Sequence, residues 1–200
     1  MEKKCLHILN RIHNFAMENA LFTRFMNSNK TYVAFDTVGV ADPVNSNISS
    51  FRQLREWEKQ NPDRFHFLNM DEIEFLSEHV DLVDSTLKTR FLHLMESADN
   101  LLVLSSLHMD VESPMLNWQI SRAVNRFRLP VIVAYVGLDR VDDNTIKDQW
   151  SHLPNKIRKY IGRDSANMTH IPLTKDKLER ALGFFSARKE LYSWNSTTIF

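Results

Sequence analysis

The chain has little glycine, a single cysteine and no excess of either charge. Lysine plus arginine and aspartate plus glutamate both number 25, so the formal net charge is zero. Proteins that bind nucleic acid usually carry a basic excess or stripe, and the balanced charge argues against that class. Because Cys5 stands alone, no intrachain disulfide can form, which favours an intracellular setting.

Long apolar runs are also missing. No stretch approaches the roughly 20 residues that a membrane-spanning helix needs. Residues 1–22 lack the unbroken apolar core of a secretory signal peptide. The sequence therefore predicts a cytoplasmic protein with neither a membrane nor a nucleic acid as its partner.

The scarcity of glycine excludes two common nucleotide-binding motifs. The four glycines are too dispersed for a G-x-G-x-x-G fingerprint or a phosphate-binding P-loop. Eight histidines occur without an H-E-x-x-H motif or cysteine partners, so no metal site is expected. A response-regulator receiver needs an acceptor aspartate where the apolar run 100–106 ends in serine, so that class is excluded too.

Hydrophobic periodicity indicates that strands alternate with helices along residues 31–190. Strands are predicted at 31–36, 64–69, 100–106, 129–137 and 167–173. The stretches at 100–106 and 129–137 are nearly continuous in apolar residues, as strands covered on both faces are. Amphipathic patterns predict helices at 49–60 with Ser49 or Ser50 as cap, at 84–98, from Ser113 onwards, at 142–162 with a break at Pro154, and at 174–191. Residues 1–27 form a separate N-terminal segment with helical spacing, and the tail 191–200 carries no interpretable pattern.

This alternation predicts an α/β fold with a flavodoxin-like, doubly wound parallel sheet of about five strands in the order 2-1-3-4-5. An N-terminal helix and a C-terminal helical extension flank it. Ligands of such sheets bind outside the carboxyl ends of the strands, at the switch point between strands 1 and 3. The residues expected to line that crevice are Phe35, Asp36 and the loop 37–49, then Ser105, Ser106 and His108, and the first turn of the helix that carries Gln119.

Part of the chain resembles a known protein family. A strand ending in "AFD" precedes "STLKTRFLHLMESADNLLVLSS", the stretch "LNWQI" and the strand "LPVIVAYV". Over residues 31–137 this order resembles the TIR-like domain proteins of bacterial anti-phage defence, the Thoeris type. The resemblance implies an NAD glycohydrolase or ADP-ribosyl cyclase-like hydrolase that cleaves the nicotinamide–ribose bond, with NAD as substrate and no further cofactor. It also implies an ADP-ribose-derived signal, an effector protein that senses it, a homo-oligomer, and a phage protein as candidate trigger.

Position 119 departs from the pattern of that family. The stretch matching "NWQI" usually reads aromatic-Glu-Ile, so Gln119 stands where the catalytic glutamate is expected. A carboxylate can stabilise the positive charge that builds on ribose as an N-glycosidic bond breaks, whereas an amide has no charge to offer. Three interpretations are open: an introduced Glu-to-Gln substitution, a natural non-catalytic protein, or a different register. In the last, Gln119 is a surface residue and Glu112 is the nearest alternative carboxylate.

Each other candidate residue has a structural alternative. Asp36 would bond a ribose or cap its own turn. Ser105 and Ser106 would contact phosphate or ribose, or serve as ordinary strand ends. His108 would face the crevice or be structural, and the ring of Phe35 would stack on a base or belong to the core.

Trp118 is expected to mark a partner surface. At about 100 degrees per residue, its side chain lies almost opposite the apolar stripe of its helix, while Gln119 lies about 80 degrees off the centre of that stripe. An aromatic side chain on that face predicts a self-association contact. The alternative is that the helix at 1–27 covers it.

Two further function classes stay open. The first is a non-catalytic TIR-like sensor or assembly module that binds a nucleotide or a phage protein. The second is a nucleoside deoxyribosyltransferase-like enzyme, which shares the sheet and the glycosidic chemistry.

Overall fold

A computed structural model describes residues 29–35, 48–73, 85–107, 109–184 and 197–199. The predicted N-terminal helix at 1–27 lies outside the described residues. So do Asp36, most of the loop 37–49, and His108.

An all-parallel sheet runs through the centre of the described residues. Its strands are β1 (Thr31–Ala34), β2 (Asn100–Ser105), β3 (Val131–Tyr135) and β4 (Met168–Pro172), which lie side by side in that order. Every residue of these strands is buried, as expected for a parallel sheet with helices on both faces. The predicted α/β class is confirmed, and strands stand at four of the predicted places.

The predicted strand at 64–69 is wrong. Phe67 forms only an isolated parallel bridge to Thr31, at the edge of β1 that does not face β2. The ladder goes no further because the side chain of Asn69 takes the next position. It accepts a hydrogen bond from the Val33 N–H (2.9 Å) and donates one to the Val33 carbonyl (2.7 Å). A side-chain amide therefore replaces strand backbone at this edge.

The far edge of the sheet carries an element that no sequence pattern indicates. Strand β5 (Thr197–Ile199) pairs with β4 in parallel, with His170 opposite Ile199. Three residues are too few to show a period, so the pairing depends on the free edge of β4 rather than on local sequence. Part of the C-terminal tail thus belongs to the sheet.

Helices connect and cover the strands. They are α1 (Ile48–Gln60), α2 (Ser85–Ser97), α3 (Pro114–Asn125), α4 (Asp143–Asp148), α5 (Asn155–Arg163) and α6 (Lys175–Phe184). A short 3-10 turn, Trp150–His152, and then Pro154 separate α4 from α5, which confirms the predicted break. Among the described residues, no helix has the length and apolar character needed to cross a membrane.

The start of α1 differs from its prediction. The helix already begins at Ile48, so Ser49 and Ser50 lie inside it and neither is its cap, and Ser50 is buried. The start of α3 follows the rules for helix capping. The Ser113 hydroxyl accepts a hydrogen bond from the Leu116 N–H (3.3 Å), and the next residue is a proline, which has no N–H to satisfy there.

Candidate functional site

Gln119 lies in the middle of α3 and is completely buried. The apolar residues of its helix are buried on either side of it: Leu116, Ile120, Ala123 and Val124. Helix α3 packs against β1, so the buried side chain faces the sheet. The interpretation of Gln119 as a surface residue is therefore wrong.

The amide of Gln119 joins α3 to β1 through two good hydrogen bonds. Its Oε1 accepts from the hydroxyl of Tyr32 (2.9 Å), and its Nε2 donates to the backbone carbonyl of Phe35 (2.8 Å). A longer contact of 3.4 Å joins the Nε2 to the Met115 carbonyl. One atom of this side chain must accept and the other must donate, which an amide does at every pH and a glutamate does only when protonated.

Tyr32 is held as a neutral donor. Burial, and then the negative charge of Glu72, keep the pKa of Tyr32 well above its usual range, while a hydrogen bond to the side chain of Asn69 acts in the opposite direction. The phenol is therefore protonated at physiological pH and donates its proton to Gln119. We call the side chains of Tyr32, Asn69, Glu72 and Gln119 the Tyr32 cluster.

Phe35 belongs to the hydrophobic core. Its ring packs edge-on against Phe51, with centroids 6.5 Å apart, and against Phe91, with centroids 5.5 Å apart. Only 1% of the residue is exposed, which favours the core alternative over base stacking. What Phe35 gives to the Tyr32 cluster is its backbone carbonyl.

Ser105, the last residue of β2, and Ser106, which follows it, lie at the carboxyl edge of the sheet, where they were predicted. Both are buried, and the hydroxyl of Ser105 donates to the carbonyl of His152 (3.3 Å). The 3-10 turn that contains His152 therefore lies over the end of β2. A ligand contact at Ser105 and Ser106 stays a prediction.

Glu112, the alternative carboxylate, is exposed and belongs to the junction of α3 with α5. Its carboxylate pairs with the Arg158 guanidinium (3.3 Å) and accepts a hydrogen bond from the side chain of Asn155. The same junction holds Asn117, whose Oδ1 accepts from the Lys156 N–H (2.9 Å). These contacts give Glu112 a structural role in the packing of α3 against α5.

Trp118 is partly buried and packs at the margin of the core. Its helix contacts α2 and α5 as well as the sheet. The N-terminal helix that would cover this tryptophan lies outside the described residues, so a self-association contact at Trp118 stays a prediction.

Sequence reasoning missed three members of the Tyr32 cluster and its arginine partner. Tyr32 and Asn69 read as ordinary residues of the predicted strands at 31–36 and 64–69. Residues 70–73, which follow Asn69, are helical, and Glu72 lies among them, where an acidic residue is common for reasons of helix electrostatics. Its carboxylate is nevertheless buried, and its Oε1 lies 2.6 Å from the Nε of Arg90. No local signal marks these residues, because their meeting depends on the sheet.

The comparisons with known proteins leave the family open. The chain matches no family model and no curated protein. The resemblance to TIR-like proteins therefore rests on the sequence blocks quoted above. Within the part of the chain that the structure describes, no group of three His, Cys, Asp or Glu residues could hold a metal ion.

Proposed function

We propose that this chain is a TIR-like protein that binds an NAD-type nucleotide at the carboxyl edge of its sheet and, with Gln119, does not cleave it. The observation that carries the proposal is the attachment of Gln119 to β1. The residue matched to the family's catalytic glutamate contacts Tyr32 within β1 and the carbonyl of Phe35 just beyond the strand's carboxyl end. In open α/β sheets, ligands bind at this edge.

We also propose the flavodoxin-like order for the sheet, in a reduced form. The bridge of Phe67 to Thr31 occupies the side of β1 where the order 2-1-3-4-5 places its second strand. The switch point would then fall between β1 and β2. Phe35 and Ser105 end or follow these two strands.

The lack of turnover follows from charge. Cleavage of the nicotinamide–ribose bond builds positive charge on the ribose, and a carboxylate in reach of that charge lowers the barrier. Gln119 has the size of glutamate and is neutral. It therefore keeps the hydrogen bonds to β1 and does not stabilise the positive charge on the ribose. An active relative with glutamate would produce the ADP-ribose-derived signal for a separate effector protein, and the defence setting is part of the same proposal.

Calorimetry with NAD and with ADP-ribose tests the binding step. We expect both nucleotides to bind to the chain as printed and to remain intact in the cell of the instrument. Deoxynucleosides, tested as substrates in parallel, examine the deoxyribosyltransferase alternative. Absence of binding to both nucleotides, in a folded sample, would overturn the proposed function.

A second candidate function is a purely non-catalytic sensor or assembly module. The observation in its favour is that both polar atoms of the Gln119 amide are used inside the protein, so the amide has a structural role of its own. A Gln119→Glu variant separates the two functions. The module binds nucleotides equally with either residue and never cleaves them, whereas the enzyme-derived site gains cleavage.

A further inference from the structure

Glu72 has one paired and one unpaired carboxylate oxygen. Its side chain is only 5% exposed, and its Oε1 lies 2.6 Å from the Nε of Arg90. Its Oε2 is buried and has no hydrogen-bond partner among the described residues. Leaving a charged oxygen buried without a donor is costly, so this atom is an unused acceptor that a suitable donor would stabilise.

Several contacts link Glu72 to the surroundings of Tyr32 in β1. Asn69, three residues earlier, is fixed to the backbone of Val33 by both atoms of its amide. The partner Arg90 immediately precedes Phe91, whose ring packs edge-on against that of Tyr32 with centroids 6.3 Å apart. The negative charge of Glu72 is also close enough to Tyr32 to raise the pKa of its phenol. These contacts bring the carboxylate to the cluster that holds Gln119.

Helix electrostatics does not explain the burial of the Oε2 of Glu72. An acidic residue in a first helical turn is normally stabilised by backbone N–H groups, and the Oε2 of Glu72 has no such partner among the described residues. The ion pair with Arg90 engages only the other oxygen. Because the side chain of Arg90 is 66% exposed, the carboxylate lies just beneath the surface.

We propose that the Oε2 of Glu72 accepts hydrogen bonds from the ribose hydroxyls of the bound nucleotide. Hydroxyls are donors of the kind that this oxygen lacks, and bonds to an ionised acceptor are stronger than neutral ones. Glu72 thus supplies a carboxylate to the site in which position 119 has an amide. The inference rests on the proposed function and adds the group that recognises the sugar.

The test measures binding of NAD and of an NAD analogue whose nicotinamide-side ribose lacks the 2′ and 3′ hydroxyls. For the unchanged chain, we expect the analogue to bind at least about tenfold more weakly than NAD. In Glu72→Gln, NAD binding falls to the level of the analogue, and the difference between the two ligands shrinks. Glu56→Gln is the matched control, since Glu56 is exposed on α1 and its ion pair within the described part of the chain is with Lys59.

Each outcome bears on one proposal. If the unchanged chain binds neither nucleotide, the proposed function fails. If it binds NAD and the dideoxy analogue equally, or if folded Glu72→Gln keeps the full preference for NAD, the role of Glu72 is overturned and the binding function stands. Should Glu72→Gln not fold by circular dichroism, Glu72→Asp replaces it, and the ligand comparison on the unchanged chain decides.

Discussion

The hydroxyl of Tyr32 in β1 donates a 2.9 Å hydrogen bond to the side-chain oxygen of Gln119 in α3. These residues are 87 positions apart, and neither is exposed. The bond fixes the helix to the strand beside the predicted ligand edge. The protonation state of an acid placed at residue 119 would therefore affect stability as well as the proposed catalysis.

Gln119→Glu is expected to destabilise the protein at neutral pH. A carboxylate at this position would face the Phe35 carbonyl, so the acid must be kept protonated, and its folded-state pKa is raised above the unfolded value. The folded state then binds more protons than the unfolded one, and the penalty grows with pH through the folded-state pKa. We expect about 3 kcal/mol at about pH 7, shrinking to about 1 kcal/mol at about pH 5.

Urea unfolding of both chains at these pH values measures the penalty. Gln53→Glu on the exposed face of α1 makes the same chemical change without burial, and it should alter stability little at either pH. A penalty for Gln119→Glu that does not depend on pH would contradict the hydrogen-bond assignment.

Asn69→Ala tests the replacement of a strand by a side chain. It removes the partners of both the N–H and the carbonyl of Val33, which are buried. We expect a loss of about 3 kcal/mol in the free energy of unfolding, since two buried backbone groups lose their bonds. Asn144→Ala, at an exposed position of α4, is the control. Equal stability of the two variants would show that the edge of β1 does not need the amide.

His170 is expected to make stability depend on acid. It is fully buried in β4, its Nδ1 lies 2.9 Å from the Tyr135 hydroxyl, and its Nε2 has no partner among the described residues. Burial lowers the pKa of His170 from 6.5 to about 4. Between these values the unfolded chain binds a proton that the folded chain does not, so stability falls as the pH falls through this range, by about 3 kcal/mol in all.

Denaturant unfolding between about pH 7.5 and about pH 3.5 follows this loss. His170→Asn keeps an acceptor for Tyr135 and removes the titration, so its profile should be flatter by that amount. His93→Asn, which changes an exposed histidine of α2, should keep the slope of the unchanged chain. Identical profiles for all three chains would place the acid sensitivity elsewhere.

Hydrophobic runs correctly predicted strands that are buried on both faces of the sheet. The runs at 100–106 and 129–137 became β2 and β3, because a continuous apolar run fits a strand buried on both faces. The stretch 64–69 was predicted as a short strand, and Phe65 and Phe67 are indeed buried. It fails as a strand because the amide of Asn69 takes the place of its backbone, and such a long-range substitution leaves no local pattern.

The candidate site was predictable in position and not in detail. Helix phase placed Gln119 at the flank of the apolar stripe. A polar side chain is fully buried, however, only where it finds a hydrogen-bond partner. That partner is Tyr32, which the sheet supplies from far along the chain. The burial of the Glu72 carboxylate could not be predicted for the same reason, because Arg90 and the strand β1 lie far from it in the sequence.

Release of nicotinamide from NAD by the folded Gln119→Glu variant is the most direct measurement of whether position 119 is the catalytic position. The unchanged chain should release none, and the variant should gain cleavage that increases as the pH rises through the raised pKa of the new carboxyl group. Glu112→Gln, introduced into that variant, should leave the rate unchanged, because Glu112 pairs with Arg158 at the α3–α5 junction. A folded variant that binds NAD and is as inert as the unchanged chain at every pH would contradict the assignment.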